Sequence, residues 1–337
     1  MISRIQARDL INSEEFVREP VNEICDKING SKNNKIILEG TRGCGKSTVL
    51  YNLKYSSINT KNPTIYTLFD PVILFSKSNE KYFNYNFKKQ YYELRLCFRL
   101  LGFIKKYYGL VYEKYFKEIY IELEKYFKEI YIELEKYSTV IDEIINNSFY
   151  KNTECNELFE LTEPALRIID KLKEVLKLES LNISFDRFDW VNGSDPVVQQ
   201  ILSEYFDLFD KVILTTDDEC INEKKTELEK KGYSFETIDY AKNEIVIKQI
   251  IKSRLNNNKE KTIFKEEYIT DKIYSDLIEK TNGNITLLFD IVRDVIGLCD
   301  WNNKTDDIEN LFYVQSEYEL KKEKQFKKLY KNPNLYL

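Results

Sequence analysis

Five short runs of β-branched and apolar residues punctuate the chain, at residues 35–39, 64–69, 182–190, 211–216 and 232–239, and much of the rest carries apolar residues every three or four positions. Strands separated by helical patterns predict an α/β fold with a parallel five-stranded sheet. Ahead of the first strand, residues 12–28 read as a helix, with Ser13, Glu14 and Glu15 at its start, Val21, Ile24 and Ile28 on one face, and Asn29-Gly30 as its end. A helix over residues 47–55 follows the first strand, Asn62-Pro63 turns into the second, and Asp195-Pro196 starts a helix over residues 197–209. From Ala241 onward the pattern is helical to the end.

Between the second and third strands, residues 78–177 read as a large, Tyr-rich helical insertion. At its centre YFKEIYIELEK stands twice in tandem, at residues 115–125 and 126–136. Eleven residues make close to three helical turns, so the second copy sets its apolar side chains above those of the first. Tyr115, Phe116, Ile119, Tyr120 and Leu123 thus continue into Tyr126, Phe127, Ile130, Tyr131 and Leu134 as one stripe, with Lys117, Glu118, Glu122 and Glu124 mostly on the other side. The pattern predicts one amphipathic helix over residues 112–146, about 50 Å long. Two uses of the stripe are open at this stage: packing on a neighbouring helix of the insertion, or a surface for an oligomer or partner.

Composition narrows the picture mainly by exclusion. A chain of 337 residues suits about two domains. The pattern divides it into a core over 1–240, a helical unit over 241–300 and a helical, Lys-rich tail over 301–337. The net charge of −5 gives no global argument for nucleic-acid binding, so any such surface is local. The sequence contains no histidine, which excludes Ser-His-Asp and Cys-His hydrolysis and histidine-ligated zinc. Six cysteines lie scattered without C-x-x-C spacing, arguing against a zinc site and a disulfide framework and favouring a reducing compartment. No apolar run approaches a membrane span, and residues 1–10 lack a signal-peptide core, so the expected setting is the cytoplasm, away from membranes.

The candidate chemistry sits where the first strand ends. Gly40-Thr41-Arg42-Gly43-Cys44-Gly45-Lys46-Ser47-Thr48 fits G-x-x-x-x-G-K-[ST] and lies between a strand and a helix, the context a phosphate-binding loop requires. The glycines let backbone N–H groups approach an anion, Lys46 can reach the β- and γ-phosphates, and Ser47 can ligate Mg²⁺. Cys44 reads as a small filler that contributes its backbone N–H. The third run, Asn182-Ile183-Ser184-Phe185-Asp186-Arg187-Phe188-Asp189-Trp190, offers in Asp186 an acid suited to hold Mg²⁺ through water. The fourth ends in Thr215-Thr216, either of which can orient water, contact the γ-phosphate, or serve as an ordinary strand end. Lys321, Lys322, Lys324, Lys327, Lys328 and Lys331, interleaved with Phe326, Tyr330 and Tyr336, form either a solvated helix end or a DNA-binding tail.

In this order of parts the chain resembles the AAA+ P-loop ATPases, and more narrowly the origin-recognition and cell-division-control initiators and the related STAND switches. Glu15-Phe16-Val17-Arg18-Glu19 is similar to the entry motif that frames the adenine in that group, without its glycine. Asp186 to Asp189 resembles the group's acid-rich second motif, and Thr215 or Thr216 its first sensor. Residues 240–296, including Thr281-Asn282-Gly283-Asn284, resemble its helical lid. The resemblance implies an ATP- and Mg²⁺-dependent switch that assembles as a homo-oligomer or engages a protein partner, in DNA transactions or phage defence.

Three departures bear on turnover. Arg187 stands where the family has its water-polarising acid, leaving Asp189 as the nearest replacement. Thr286 stands where the lid often carries an arginine, with Arg293 two turns on as a substitute. No arginine occurs in residues 197–210, where the finger for a neighbouring subunit commonly sits. Together they imply slow or partner-dependent hydrolysis. The alternatives are a DNA-bound loader or motor, for which the Lys-rich tail speaks, and a nucleotide-binding scaffold without turnover, for which Arg187 speaks.

The tandem repeat yields a direct test. Deleting residues 126–136 removes about three turns in register, so the shortened protein is expected to fold, as read by circular dichroism and thermal melting. Failure to fold would make the stripe part of the main core.

Overall fold

The computed structural model describes residues 16–58, 60–68, 169–170, 173–174, 177–186, 207–216, 225–256, 264–302, 305 and 307–330. The tandem repeat and nearly all of the expected insertion, Arg187, Asp189, most of the helix expected at 197–209, and residues 331–337 lie outside the described residues.

Helix α1 (Arg18–Gly30) leads into β1 (Lys35–Glu39), and α2 (Lys46–Ser57) connects it to β2 (Thr64–Leu68). Then follow β3 (Asn182–Asp186), β4 (Lys211–Thr216), the short α3 (Lys225–Lys230) and β5 (Ser234–Thr237). The five strands form one all-parallel sheet in the order β2-β3-β4-β1-β5. From β1 the chain travels to β2 at the far edge. From β4 it passes β1 to reach β5 on the other side. Successive connections therefore leave the adjacent carboxyl ends of β1 and β4 in opposite directions, and such a reversal opens a crevice above an α/β sheet.

Alternation along the strands sorts side chains to the two faces. Ile36 and Leu38 of β1 and Ile213 of β4 pack with Val21, Ile24 and Ile28 of α1 and Val49, Leu50 and Leu53 of α2. Ile37, Ile183, Phe185, Val212 and Leu214 point to the opposite face, and all are buried. Runs buried on both faces are what a parallel sheet between helices demands.

Helix α1 differs from its expected extent. Val17 is extended (φ −79°, ψ 99°) and the helix starts at Arg18, so a helix running from residue 12 through 28 does not form. The cause is Pro20, which has no backbone N–H and is tolerated only in a first turn. The other end is closed from afar: the Lys211 ammonium donates to the carbonyls of Ile28 (2.7 Å), Asn29 (3.2 Å) and Ser31 (3.1 Å), groups that the end of the helix leaves without partners. Burial pushes the Lys211 pKa down.

The rest of the chain is a helical module of α4 (Glu244–Asn256), α5 (Asp271–Thr281), α6 (Ile285–Asn302) and α7 (Ile308–Tyr330). Thr270 caps α5 by accepting from the Ile273 amide (3.3 Å), and Asn282 ends it in the left-handed region (φ 48°). The module has its own core, in which Ile251, Ile273, Leu277, Leu288, Ile291 and Val295 meet Ile308 and Phe312 of α7. That core crosses residue 300, the expected start of a separate tail, because α7 lays an apolar face on α5 and α6. Among the described residues no helix is long and apolar enough to cross a membrane.

If α7 belongs to this core, Phe312→Ala should destabilise the protein by about 3–5 kcal/mol, the usual cost of emptying a buried aromatic site. A loss below about 1 kcal/mol by denaturant titration would return α7 to the status of an appended tail.

Candidate functional site

The loop from Gly40 to Gly45 rises from the carboxyl end of β1 and runs straight into α2. Gly43 (φ 79°) and Gly45 (φ 109°) take the left-handed conformation. Close contacts give the loop a second reason for glycine. A methyl group at Gly43 would lie 2.1 Å from Asn284 Oδ1, and one at Gly45 would lie 2.3 Å from the Tyr240 hydroxyl. The buried Cys44 Sγ lies 2.6 Å from where a Cβ on Gly40 would stand, so its thiol fills the inside of the loop. Lys46 folds back, donating to the carbonyls of Gly40 (2.7 Å) and Thr41 (3.1 Å). The N-cap of α2 is Gly45, which carries no side chain to accept from the first-turn amides, and that turn holds no acidic residue. An anion would complete such a helix start. Arg42 and Thr48 are partly exposed on either side.

Opposite the loop stands Asp186, 4% exposed at the end of β3. Phe185 pairs with Leu214, which brings Asp186 level with Thr215 on the next strand. Asp186 Oδ1 accepts from the Thr215 hydroxyl (3.1 Å), while Oδ2 accepts from Ser47 Oγ (2.6 Å) and from the Tyr66 hydroxyl (2.9 Å). Tyr66 comes from β2 and stacks on Tyr51 of α2, ring centroids 4.2 Å apart. Burial, followed by the neighbouring Asp186 charge, pushes the Tyr66 pKa far above its ordinary value, so the phenol stays protonated and donates.

On the other sheet face, at the foot of the loop, Glu39 is buried and paired. It accepts from Thr237 Oγ1 (2.6 Å) and forms an ion pair with Lys225 (2.7 Å), whose ammonium also sits 4.7 Å above the Phe235 ring. Thr216 is buried beside Glu39 in the strand register. It therefore faces away from Asp186, and of the two strand-end threonines only Thr215 is brought to the acid.

The helical module touches the loop directly. The Ile285 amide donates to the Gly43 carbonyl (3.1 Å), and Asn284 Oδ1 caps α6 by accepting from the Leu287 amide (3.0 Å). Ile285 packs against the cores of both the sheet unit and the module. Thr286 Oγ1 lies 3.0 Å from the Cβ position of Gly43, at the loop. Arg293, the expected substitute for a lid arginine, is instead paired with Asp290 (2.8 Å) and Asp294 (2.9 Å) on its own helix. The two acids flank it within a helical turn and hold its guanidinium there.

Tyr66 and Tyr240 were not legible as site residues, because their partners lie far along the chain. Glu39 carried a signal, an acid immediately before the first loop glycine, although the run as a whole reads as apolar. The donor set suits a hard divalent cation: one hydroxyl and one carboxylate oxygen, 2.6 Å apart, beside a loop open to an anion. Among the described residues no group of three or more Cys, Asp or Glu side chains is placed to hold a metal unaided. Mg²⁺ bound with a nucleotide needs no such group, since phosphate and water oxygens complete its shell.

Comparison of the chain with protein-family models gives no match, and comparison with curated proteins gives none.

The loop contact can be tested by a double-mutant cycle. Gly43→Ala should destabilise through the positive φ and the clash with Asn284, and Asn284→Ala should cost about 1 kcal/mol as a lost helix cap. Because the alanine at residue 284 removes the clashing oxygen, the double variant should be more stable than the sum of the two losses, by about 0.5 kcal/mol or more. Strict additivity in thermal or denaturant unfolding would separate loop and module.

Proposed function

We propose that this chain binds ATP with Mg²⁺ at the 40–48 loop and acts as a nucleotide-dependent switch of the AAA+ or STAND kind, with slow or partner-dependent hydrolysis. The observation that carries this reading is the 2.6 Å hydrogen bond from Ser47, beside Lys46, to Asp186, which joins residues 139 positions apart. Its location supports the reading as well, because the carboxyl ends of β1 and β4 are where an α/β sheet of this order has its crevice.

Each residue then has a defined task. The backbone N–H groups of the loop and of the start of α2 take the phosphate oxygens, and Lys46 supplies a point charge to them. Ser47 offers its oxygen to the cation while its hydroxyl proton points to Asp186, and Thr215 holds the other carboxylate oxygen. A bound Mg²⁺ would supply positive charge against the outer phosphates. Since the Gly43 carbonyl is bonded to the Ile285 amide, any shift of the loop is felt at the start of α6, which gives the switch its lever. A homo-oligomer or protein partner would read the position of the module.

A second reading, a scaffold that binds nucleotide without turnover, is favoured by two residues. Arg187 follows Asp186 where a water-polarising acid is needed, and Arg293 is held by Asp290 and Asp294 away from the loop. A DNA-bound loader has less support: Lys322 is already paired with Glu319 on α7, although Lys321 and Lys324 are exposed.

Calorimetry tests the site. Lys46→Ala should weaken ATP binding about 100-fold or more, the worth of one or two charged hydrogen bonds, and Asp186→Ala should flatten the dependence of binding on Mg²⁺. Unchanged affinity in folded Lys46→Ala protein would overturn the assignment. Phosphate release by the wild type alone, with DNA, and after Arg187→Glu separates switch from scaffold: faster turnover in the variant marks a site tuned to be slow, and none under any condition favours the scaffold.

A further inference from the structure

Ser47 and Asp186 are the pair a phosphate-loop site needs, yet here a third group shares the same carboxylate oxygen. Tyr66 donates to Oδ2 of Asp186 at 2.9 Å while Ser47 donates to that oxygen at 2.6 Å. A carboxylate oxygen has two lone-pair directions, so these two donors together define how Oδ2 is presented. Thr215, at 3.1 Å from Oδ1, fixes the opposite end, and rotation of the carboxylate would break hydrogen bonds at both oxygens.

The geometry points to Tyr66 as a positioning residue for the divalent cation: it anchors Asp186 Oδ2 so that the Ser47 hydroxyl keeps donating to the acid and turns its oxygen toward the loop. The inference rests on the reading of Ser47 and Asp186 as the Mg²⁺ pair. Tyr66 is held in place for such a role. It is 6% exposed, its ring is stacked on Tyr51, and the Lys54 ammonium lies 5.7 Å from the Tyr51 ring and 5.9 Å from the Tyr66 ring. Groups that orient a metal's ligands from behind change metal affinity when removed, without touching the metal.

A purely structural role would look different. A buried phenol also needs a hydrogen-bond partner for its own sake, and losing that bond lowers stability alone. The separating experiment is an ATP titration by calorimetry, in EDTA and at a series of Mg²⁺ concentrations, with melting temperatures recorded in EDTA without nucleotide. Tyr66→Phe keeps the ring and its stack on Tyr51. It should bind ATP in EDTA as the wild type does, while the Mg²⁺ concentration at half effect rises about 10-fold. 4-Aminophenylalanine placed at residue 66 returns a weaker donor and should fall between the two.

Equal Mg²⁺ half-points in wild type and Tyr66→Phe, whatever the melting temperatures, overturn the inference and leave the nucleotide site standing. A wild type with no Mg²⁺-dependent ATP binding overturns both. Should Tyr66→Phe fail to fold, the aminophenylalanine protein decides: a half-point shifted a few-fold supports positioning, and an unshifted one overturns it.

Discussion

A buried carboxylate must be satisfied, and meeting that demand at Asp186 organises the sheet unit. With 4% of its surface exposed, an uncompensated charge there would cost several kcal/mol. The compensation comes from three hydroxyls on three different elements: Ser47 on α2, Tyr66 on β2 and Thr215 on β4. Each bond constrains an element relative to β3. The register of β3 on β4, the packing of α2 across the sheet, and the side of β2 that faces α2 all have to agree for one acid to collect these donors.

Glu39 does the same on the opposite face. It ties β5 through Thr237 and α3 through Lys225 to the foot of the loop. Two buried acids at the carboxyl edge of one sheet thus brace the strands that flank the loop. Because β1 lies between β4 and β5, the Gly40–Gly45 segment stands on a strand paired on both sides. Its own backbone can then adopt conformations that side chains would forbid.

The loop is also where the two cores meet. Asn284 and Tyr240 crowd Gly43 and Gly45, the Ile285 amide holds the Gly43 carbonyl, and the Ile285 side chain touches both hydrophobic clusters. A few contacts therefore couple the loop to the position of the helical module. The module is well packed within itself, so it is expected to respond as a unit.

Local patterns determined much of this from the chain alone. The strands at residues 35–39 and 211–216 were legible in full, and the strand at 182–186 lies within the run read at 182–190, since short β-branched runs between turns are a local property. The turn from β1 into α2 at residues 40–45 was legible from spacing, and so were the places of Asp186 and Thr215 at strand ends. The sequence missed where α1 begins because Pro20 acts through a backbone bond that apolar periodicity does not register. The packing of α7 on α5 and α6 was not legible, because an apolar face acquires meaning only against the elements that cover it. Between Thr215 and Thr216 no local rule chooses; the register of β4 against β3 and β1 does, turning one to Asp186 and the other toward Glu39. The places of Tyr66 beside Asp186 and of Asn284 against Gly43 were likewise decided by tertiary structure. Side-chain hydrogen bonds form between groups that packing brings within about 3 Å, and for Tyr66 and Asp186 that neighbour lies 120 residues along the chain.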